Sequence, residues 1–521
     1  MDFDVLIRNG QVVDGSGAPG RRADVGIRGD RIVAVDRLDG ATAGEVIDAA
    51  GLVVAPGFID VHVHSEVALA DPSNPYRYGS VLQGVTTHLT APDGFGWAPL
   101  SPAQAEQLWQ FTLFSHGRAD LALDWPTPED YLAIFAGRTP VNVVPQVPHC
   151  AVRFGAMGWA ARPATDDELD QMRRTTRQWM EAGATCLCLG LDYQPSAFAD
   201  TRELIELSKV AAEYGGVYAA HIRYNLLGSA AAWRETVEVG RQADIPVHVS
   251  HEFVTDATEP LLEEAAGVCD LTFESYLYPA GCTHLALLLP EWAQAGGPEG
   301  IRERLRDPAT RATLRDTLQQ VLNGPSDERH ARPVFVDTQS GRYIGMSVAE
   351  AAASEGEAVG DFAVRVLEEE FPYALMVYHH GGTPEKHREK ARRTLRHPRM
   401  MVASDGMYHG RSAHPRAFGC FAQALRLGVR ELDAVSLEGA VHKMSGFPAE
   451  RFRIKDRGLL RPGFGADVVI FNPDTVADCA TWEEPRLTPV GIARVIVNGE
   501  TVVAGGEPTG ALPGRVLRPL A

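Results

Sequence analysis

Two histidines stand two residues apart at the end of an apolar segment, 57–65, that reads Gly-Phe-Ile-Asp-Val-His-Val-His-Ser. Side chains of a β-strand alternate between its two faces, so His62 and His64 are predicted to point the same way from a strand end. Two imidazoles on one face can bind one divalent metal ion. The chain contains 17 histidines, so a chance His-x-His pair is the alternative interpretation.

Three further residues that can bind metal fall where other strands are predicted to end. His221 follows Gly-Val-Tyr-Ala-Ala, His251 follows Ile-Pro-Val-His-Val-Ser, and Asp405 follows Met-Met-Val-Ala-Ser. Four histidines at three strand ends, with an aspartate at the last strand, favour a metal centre over isolated core histidines.

The types of these ligands predict a reaction class. One or two zinc-like ions lower the pKa of bound water to about 7 and polarise a carbonyl oxygen. Asp405 can then accept the proton of the water and deliver it to a leaving nitrogen. The predicted chemistry is hydrolysis of an amide-like C–N bond.

The segment that must position these residues, 56–454, reads as strands alternating with helices such as 166–181, 202–214 and 230–243. This pattern predicts an α/β fold, a (β/α)8 TIM-like barrel, whose active sites lie at the carboxyl ends of the strands. The eight strand ends are predicted near His62, Thr90, His149, Leu191, His221, His251, Tyr276 and Asp405.

The connection between the seventh and eighth predicted strands is too long for a plain loop. Residues 281–345 include an apolar run, Leu-Ala-Leu-Leu-Leu-Pro-Glu-Trp, and a charged helical stretch at 301–322. We predict a lid inserted over the C-terminal face of the barrel. A structural dimer arm is the alternative.

Short strands are predicted at both ends of the chain. Strands at 5–8 and 11–14 flank an Asn9-Gly10 turn, further strands follow at 23–28, 31–35 and 46–48, and similar alternation returns at 467–472, 494–498 and 501–503. Neither set is large enough to bury a good core alone. We therefore predict a small composite β-sandwich domain built from 1–55 and 455–521.

Composition restricts the partners. The chain has 521 residues, a mass of 56.4 kDa and a net charge of −19, which argues against a nucleic-acid partner. Seven scattered cysteines without a C-x-x-C pattern indicate a reducing compartment. With no signal-peptide pattern and no membrane-length apolar run, we expect a cytoplasmic protein with a small-molecule substrate. The oligomeric state is not predicted.

Several motifs resemble the amidohydrolase superfamily, namely Pro-Gly-Phe-Ile-Asp-x-His-x-His at 56–64, the single histidines His221 and His251, and Ser-Asp-Gly at 404–406. Longer stretches resemble its D-aminoacylase (N-acyl-D-amino-acid deacylase) branch. These are Gly-Ala-x-Cys-Leu-x-x-Gly-Leu-Asp-Tyr-Gln-Pro at 183–195, Ala-His-Ile-Arg at 220–223, Tyr-x-Tyr-x-Ala-Gly-Cys-Thr at 276–283 and His-Pro-Arg at 414–416. The similarity extends from about residue 3 to residue 518.

The resemblance implies roles for individual residues. His62 and His64 would bind one metal ion, His221 and His251 the other, and Asp405 would be the catalytic acid/base and a metal ligand. Zn²⁺ is the implied cofactor. The implied substrate-binding residues are Tyr193, Arg223, Tyr278 and Arg416. For each tyrosine, a buried packing role is the alternative.

One departure from the branch concerns a metal ligand. Its members usually have Asn-Cys-Gly-Phe after the second strand, whereas this chain has Pro-Asp-Gly-Phe, so Asp93 replaces the cysteine. A carboxylate is a harder ligand than a thiolate, can bridge two ions and selects zinc less strongly. The alternative is that Asp93 is only a turn residue before Gly94.

A second departure concerns charge near the substrate. The branch often has Ser-His-x-Lys where this chain has Ser-His-Glu-Phe at 250–253. With Phe253 in place of a lysine, a cation that would attract an anionic substrate is missing. This favours a less anionic or more apolar amide.

Together these features predict metal-dependent hydrolysis of an N-acyl amide, an N-acyl-D-amino acid or a related compound. A cyclic-amide hydrolase of the hydantoinase or dihydroorotase type is the first alternative, although no lysine for a carboxylated bridge occurs near the fourth strand end at 186–191. A non-catalytic scaffold is the second, and the intact set of metal ligands argues against it.

Overall fold

Alternating apolar residues near the amino terminus form five strands. The structure is a computed structural model, and it describes residues 1–323 and 333–518. The strands are β1 (Phe3–Val12), β2 (Arg21–Arg28), β3 (Arg31–Asp36), β4 (Ala43–Asp48) and β5 (Val53–Pro56).

The predicted Asn9-Gly10 turn is wrong, because β1 continues through it. Asn9 has a φ of 62°, and the register between β1 and β2 shifts between Ile7 and Gly10. A bulge of this kind takes one left-handed residue without ending the strand. The two strands predicted on either side of the turn are therefore one.

Parallel strands follow and form the barrel. Strands β6 to β19 are, in chain order, Phe58–Asp60, Val63–His64, Val85–Leu89, Asn142–Val144, Val147–Pro148, Cys186–Gly190, Val217–His221, Val247–Val249, Leu271–Ser275, Ala280–His284, Pro333–Asp337, Leu375–His379, Met400–Val402 and Gly406–Met407. The parallel pairs run β6-β8-β9 and β10-β11-β12-β13-β14-β18, and β7 pairs with β19. Each predicted strand end lies within three residues of an observed one. The predicted eight-stranded TIM-like barrel is confirmed.

Helices alternate with these strands. Helices α1 to α18 are Glu66–Ala70, Pro102–His116, Pro128–Ala133, His149–Met157, Asp166–Glu181, Thr201–Glu213, Tyr224–Leu227, Ser229–Ala243, Glu259–Ala266, Glu291–Gln294, Gly297–Arg306, Pro308–Asn323, Val348–Glu355, Val359–Glu370, Pro384–Arg396, Arg416–Gln423, Leu437–Met444 and Gly446–Arg451. The start of α5 follows from a reciprocal cap, in which Thr165 accepts from the Glu168 N–H and donates its own N–H to the Glu168 carboxylate. No helix of the described residues is long and apolar enough to cross a membrane.

The long connection between β14 and β18 contains an inserted unit with a core of its own. Strands β15, β17 and β16 form an antiparallel sheet in that order, and helices α10 to α14 pack beside it around a separate hydrophobic cluster. The unit therefore extends to His379, beyond the predicted limit of 345, because α13, α14 and β17 complete its core. Residues 324–332 of the predicted lid lie outside the described residues.

The helical stretch predicted at 301–322 is two helices. Asp307 has an extended ψ of 121°, and Pro308 begins α12. A proline disfavours helical geometry in the residue before it and lacks the N–H that a helix interior needs. The break between α11 and α12 follows from this pair.

The carboxyl-terminal strands complete the amino-terminal sheet. They are β20 (Val468–Phe471), β21 (Ile492–Val497), β22 (Glu500–Ala504) and β23 (Glu507–Pro508), and β20 pairs with β5 in a nine-stranded sheet. Alternate residues of β20 face two cores, since Val468 and Ile470 join the terminal cluster and Val469 and Phe471 join the barrel cluster. The two ends of the chain thus form one composite unit. Its exact limits at 55 and 455 stay a prediction, and residues 519–521 lie outside the described part.

Hydrogen bonds close the barrel between its first and eighth strands. The buried Asp60 carboxylate accepts from the Ser404 hydroxyl at 2.5 Å and from the Ser404 N–H at 3.0 Å. The Asp405 N–H donates to the His62 carbonyl at 2.8 Å. These bonds bring the residues that follow both strands to one place.

Candidate metal centre

The first histidine pair and two aspartates converge at this closed seam. His62 Nε2 lies 3.6 Å from Oδ1 of Asp93 and 3.6 Å from Oδ1 of Asp405. His64 Nε2 lies 3.7 Å from Oδ2 of Asp93 and 3.4 Å from Oδ1 of Asp405. All four residues are buried. Both imidazoles therefore point the same way from the strand end, as the sequence predicts.

The second histidine pair lies on the other side of Asp93. His221 Nδ1 is 2.9 Å from His251 Nε2 and 3.9 Å from Asp93 Oδ1. Two nitrogens that bind one tetrahedral ion at about 2.05 Å would lie about 3.3 Å apart. The arrangement brings all six predicted metal ligands together, with the Asp93 carboxylate between the two histidine pairs.

The backbone around Asp93 turns its carboxylate toward the histidines. Ala91, Asp93 and Gly94 have φ values of 57°, 54° and 69°, in the left-handed region that aspartate and glycine tolerate better than most residues. The buried Glu66 carboxylate accepts the Ala91 N–H and holds this loop. Asp93 is thus a turn residue whose side chain also faces the site, so the two interpretations of the sequence are compatible.

Unpaired buried atoms support a cation at this point. His62 Nε2, His64 Nε2 and Asp93 Oδ1 are buried without a hydrogen-bond partner, and such atoms are costly to bury unpaired. Two groups, His62 with His64 and Asp405, and His62 with Asp93 and His251, each have ligand atoms within 4.8 Å of one another. The donor set fits a divalent ion.

Two carboxylates that the sequence does not single out orient the histidines. Glu274 Oε1 lies 2.8 Å from His62 Nδ1, and Glu274 Oε2 accepts the backbone N–H of His251 at 2.5 Å. Asp192 Oδ2 lies 3.0 Å from His221 Nε2. Such partners fix which ring nitrogen faces a metal. The available signal was an acidic residue within or directly after a buried strand.

These charges also shift the titration of the site. Burial would lower the pKa of His62, but the charges of Asp93 and Glu274 raise it to about 10. Burial would raise the pKa of Asp405, but the charges of the Arg416 guanidinium and the neighbouring histidines hold it well below its usual range. The carboxylates therefore give the site a negative electrostatic potential, which favours binding of a cation.

Arg416 does not line the cavity as a substrate-binding residue should. It is fully buried, its Nη2 lies 2.9 Å from Asp405 Oδ2, and its guanidinium lies 4.5 Å from the ring centroid of Tyr276. Arg416 is the first residue of α16, and from there its guanidinium pairs with the carboxylate of Asp405. Its predicted role in binding a substrate carboxylate stays a prediction.

Two other predicted substrate-binding residues are engaged elsewhere. Arg223 donates to the carbonyls of Ala197 and Ala199 at 2.6 and 2.5 Å and pairs with Glu235 at 2.7 Å, so it ties the loop after β11 to α8. The Tyr278 hydroxyl donates to an oxygen of Asp478 at 3.3 Å. Neither residue lines the cavity at the metal centre.

Tyr193 does line a cavity of about 550 Å³ above the centre. Its hydroxyl lies 3.2 Å from the Thr283 hydroxyl of the insertion. Asp93, His221, His251 and Asp405 also line this cavity, and Leu287, Leu288 and Leu289 of the insertion form an apolar wall. The insertion therefore covers the C-terminal end of the barrel, while its movement as a lid stays a prediction.

We expect Asp93→Ala to lower metal affinity by more than about tenfold, the loss typical of even an outer-shell partner. Asp93→Cys should keep the ion with a stronger preference for zinc, because a thiolate is softer. Asp39→Ala is the matched control, since Asp39 is an exposed residue of another Asp-Gly turn. Elemental analysis after dialysis measures the effect, and equal metal content in Asp93→Ala and wild type would make Asp93 a turn residue only.

We expect Arg416→Ala to reduce turnover of an anionic and a neutral N-acyl substrate to the same extent. It leaves the buried Asp405 carboxylate without its cation, a change that costs about 3–5 kcal/mol of stability in buried pairs. Arg416→Lys, which retains the charge, should recover part of both. Parallel assays with thermal unfolding measure this. A loss confined to the anionic substrate would restore the predicted carboxylate-binding role.

The chain is similar in sequence to known proteins over most of its length. The profile described as "Amidohydrolase family" matches residues 45–274 and 357–503. The chain is 35% identical to a D-aminoacylase of Alcaligenes xylosoxydans xylosoxydans over 99% of this chain and 97% of that protein.

Solved structures share the fold. An N-acyl-D-glutamate deacylase from Bordetella bronchiseptica, complexed with zinc and a phosphonate inhibitor, superposes with a TM-score of 0.81 at 32% identity and covers 99% of this chain and 100% of its own. An L-hydantoinase from Arthrobacter aurescens has a TM-score of 0.55 at 15% identity over 99% of this chain and 100% of its own, a likeness of fold alone. From the profile and the full-length identity together, this chain belongs to the amidohydrolase family.

Proposed function

We propose that this protein is a metal-dependent hydrolase of N-acyl amides, with N-acyl-D-amino acids as its substrates. The observation that carries the proposal is the Asp93 carboxylate between two histidine pairs, with Asp405 beside it at the base of a cavity. The full-length similarity to a D-aminoacylase and to an N-acyl-D-glutamate deacylase supports the substrate class.

The six predicted ligands would hold one or two ions. They are His62, His64, Asp93, His221, His251 and Asp405. When bound, a zinc ion polarises the scissile carbonyl and makes hydroxide available at neutral pH. Zinc is supported by the relative complexed with zinc, whereas Asp93 in place of a cysteine loosens the selectivity.

Asp405 is the proposed acid/base. Its Oδ2 faces Arg416 and its Oδ1 faces His62 and His64, so the carboxylate is fixed with one oxygen toward the site. In the ionised form that Arg416 favours, it can accept a proton from the attacking water and return it to the leaving nitrogen. Tyr193 and the leucine wall enclose the remaining space, where an apolar group of the substrate fits.

The alternatives have less support. A hydantoinase-type site commonly needs a carboxylated lysine, but β11 reads Cys-Leu-Cys-Leu-Gly, and Asp93 takes the place between the histidine pairs. A non-catalytic scaffold requires neither the oriented histidines and carboxylates nor the cavity beside them. The seven cysteines are free thiols, which supports the proposed cytoplasmic location.

The test is a screen of zinc-loaded protein against paired N-acetyl-D- and N-acetyl-L-amino acids, together with Asp405→Asn. We expect acetate release from the D-series and a fall in kcat of about 10²–10⁴-fold in the variant, because an amide cannot carry the proton. Asp39→Asn, an exposed turn position, is the control. Release from neither series would end the proposal, and near-wild-type turnover in Asp405→Asn would remove the role of Asp405.

A further inference from the structure

A second cavity of about 480 Å³ adjoins the cavity of the metal centre. Both are bordered by the same four residues, Tyr224, His251, Tyr276 and His380. Because His251 belongs to the proposed metal centre, the second cavity lies beside that centre. The far side of the second cavity is formed by Phe253 and by Lys390 of α15.

Lys390 is held in a defined place on this wall. Its Nζ lies 4.2 Å from the centroid of the Phe253 ring, a distance at which an ammonium is attracted to an aromatic face. The same Nζ lies 3.0 Å from Nδ1 of His380. The Phe253 ring in turn packs edge-on against Tyr276 and His380, with centroids 5.5 and 5.6 Å apart. Phe253 therefore serves as a platform for the ammonium.

Charge around the two cavities is unequally distributed. Among the described residues that border them, Lys390 is the only lysine or arginine, and the acidic ones are Asp93, Glu252, Glu291 and Asp405. Glu252 borders the second cavity together with Lys390, and the other three carboxylates border the first, so Lys390 is the one group of these five that attracts an anion. The cation that is missing at residue 253 has a counterpart in this cavity, since α15 places Lys390 against the Phe253 ring.

We propose that Lys390 binds the α-carboxylate of the substrate in the second cavity while the scissile amide lies at the metal centre beside His251. This proposal rests on the function proposed above. It orients the substrate, because a carboxylate held by Lys390 directs the acyl group away from the second cavity and toward the apolar wall at Leu287 and Leu288. Free N-acyl amino acids would then be preferred to their uncharged derivatives.

The test compares N-acetyl-D-leucine with N-acetyl-D-leucinamide, which lacks only the charged carboxylate, by acetate release. We expect Lys390→Met to raise KM for the acid by about tenfold or more, the range for loss of a charged hydrogen bond, and to leave KM for the amide within about twofold. Lys390→Arg should retain part of the preference. Circular dichroism confirms that the variants fold.

The matched control is Lys386→Met, an equal change of charge at an exposed position one turn earlier on α15. It should leave KM for both substrates unchanged. An effect equal to that of Lys390→Met would show that long-range charge, and not contact of Lys390 with the substrate, is responsible. An equal loss on acid and amide, or no loss on either, would overturn the role of Lys390 while hydrolysis by wild type still stands. If wild type hydrolyses neither compound, the proposed function itself fails and this inference fails with it.

Discussion

The metal centre depends on closure of the barrel between strands that are far apart in the chain. Asp60 and Ser404 are 344 residues apart in sequence, yet the Asp60 carboxylate accepts both the hydroxyl and the N–H of Ser404. A buried carboxylate needs such donors, because burial without them is costly. The pairing of β7 with β19 then places His64 opposite Met407. Because the two strands pair in this register, the side chains of His62, His64 and Asp405 meet at one place.

The second constraint is charge balance, and in this respect Asp93 differs from the other buried carboxylates of the site. Glu274 faces His62 at 2.8 Å, Asp192 faces His221 at 3.0 Å, and Asp405 faces Arg416 at 2.9 Å. Each of these carboxylates is thus neighboured by a basic side chain within hydrogen-bond distance. The Asp93 contacts with histidine are longer, and its Oδ1 is buried without a hydrogen-bond partner. A bound cation would balance the charge that the described side chains leave on Asp93.

The sequence predicted the barrel and which side chains meet at its carboxyl end, because both depend on local pattern. Strand periodicity put His62 and His64 on one face, and strand ends located His221 and His251. It did not predict the continuous β1, because Asn9-Gly10 reads as a turn whether the chain reverses or only bulges. It also did not predict where the insertion ends, since that limit depends on which helices share its core and not on composition at residue 345.

For the predicted substrate-binding residues, the contacts that the side chains make do not follow from the sequence. Resemblance assigns a residue to a position in the chain, whereas its role depends on what the side chain contacts. Arg223 and Tyr278 lie close in sequence to residues of the site, but their polar atoms reach Glu235 and Asp478. Arg416 reaches Asp405 from behind the strand end. None of these partners follows from spacing, because each belongs to an element that only the tertiary fold brings near.

At Phe253 the sequence indicates a missing charge, whereas the fold supplies one from another element. The residue at 253 alone indicates the loss of a positive charge, and this is true of the loop after β13. An aromatic face, however, is a site at which an ammonium from another element can rest, and Lys390 approaches it from α15, 137 positions later in the chain. The electrostatic potential in a cavity depends on where a charge lies and not on which element of the fold carries it. On the proposed role of Lys390, recognition of an anion moves from the loop after β13 to α15 while the residues that meet at the barrel end stay in place.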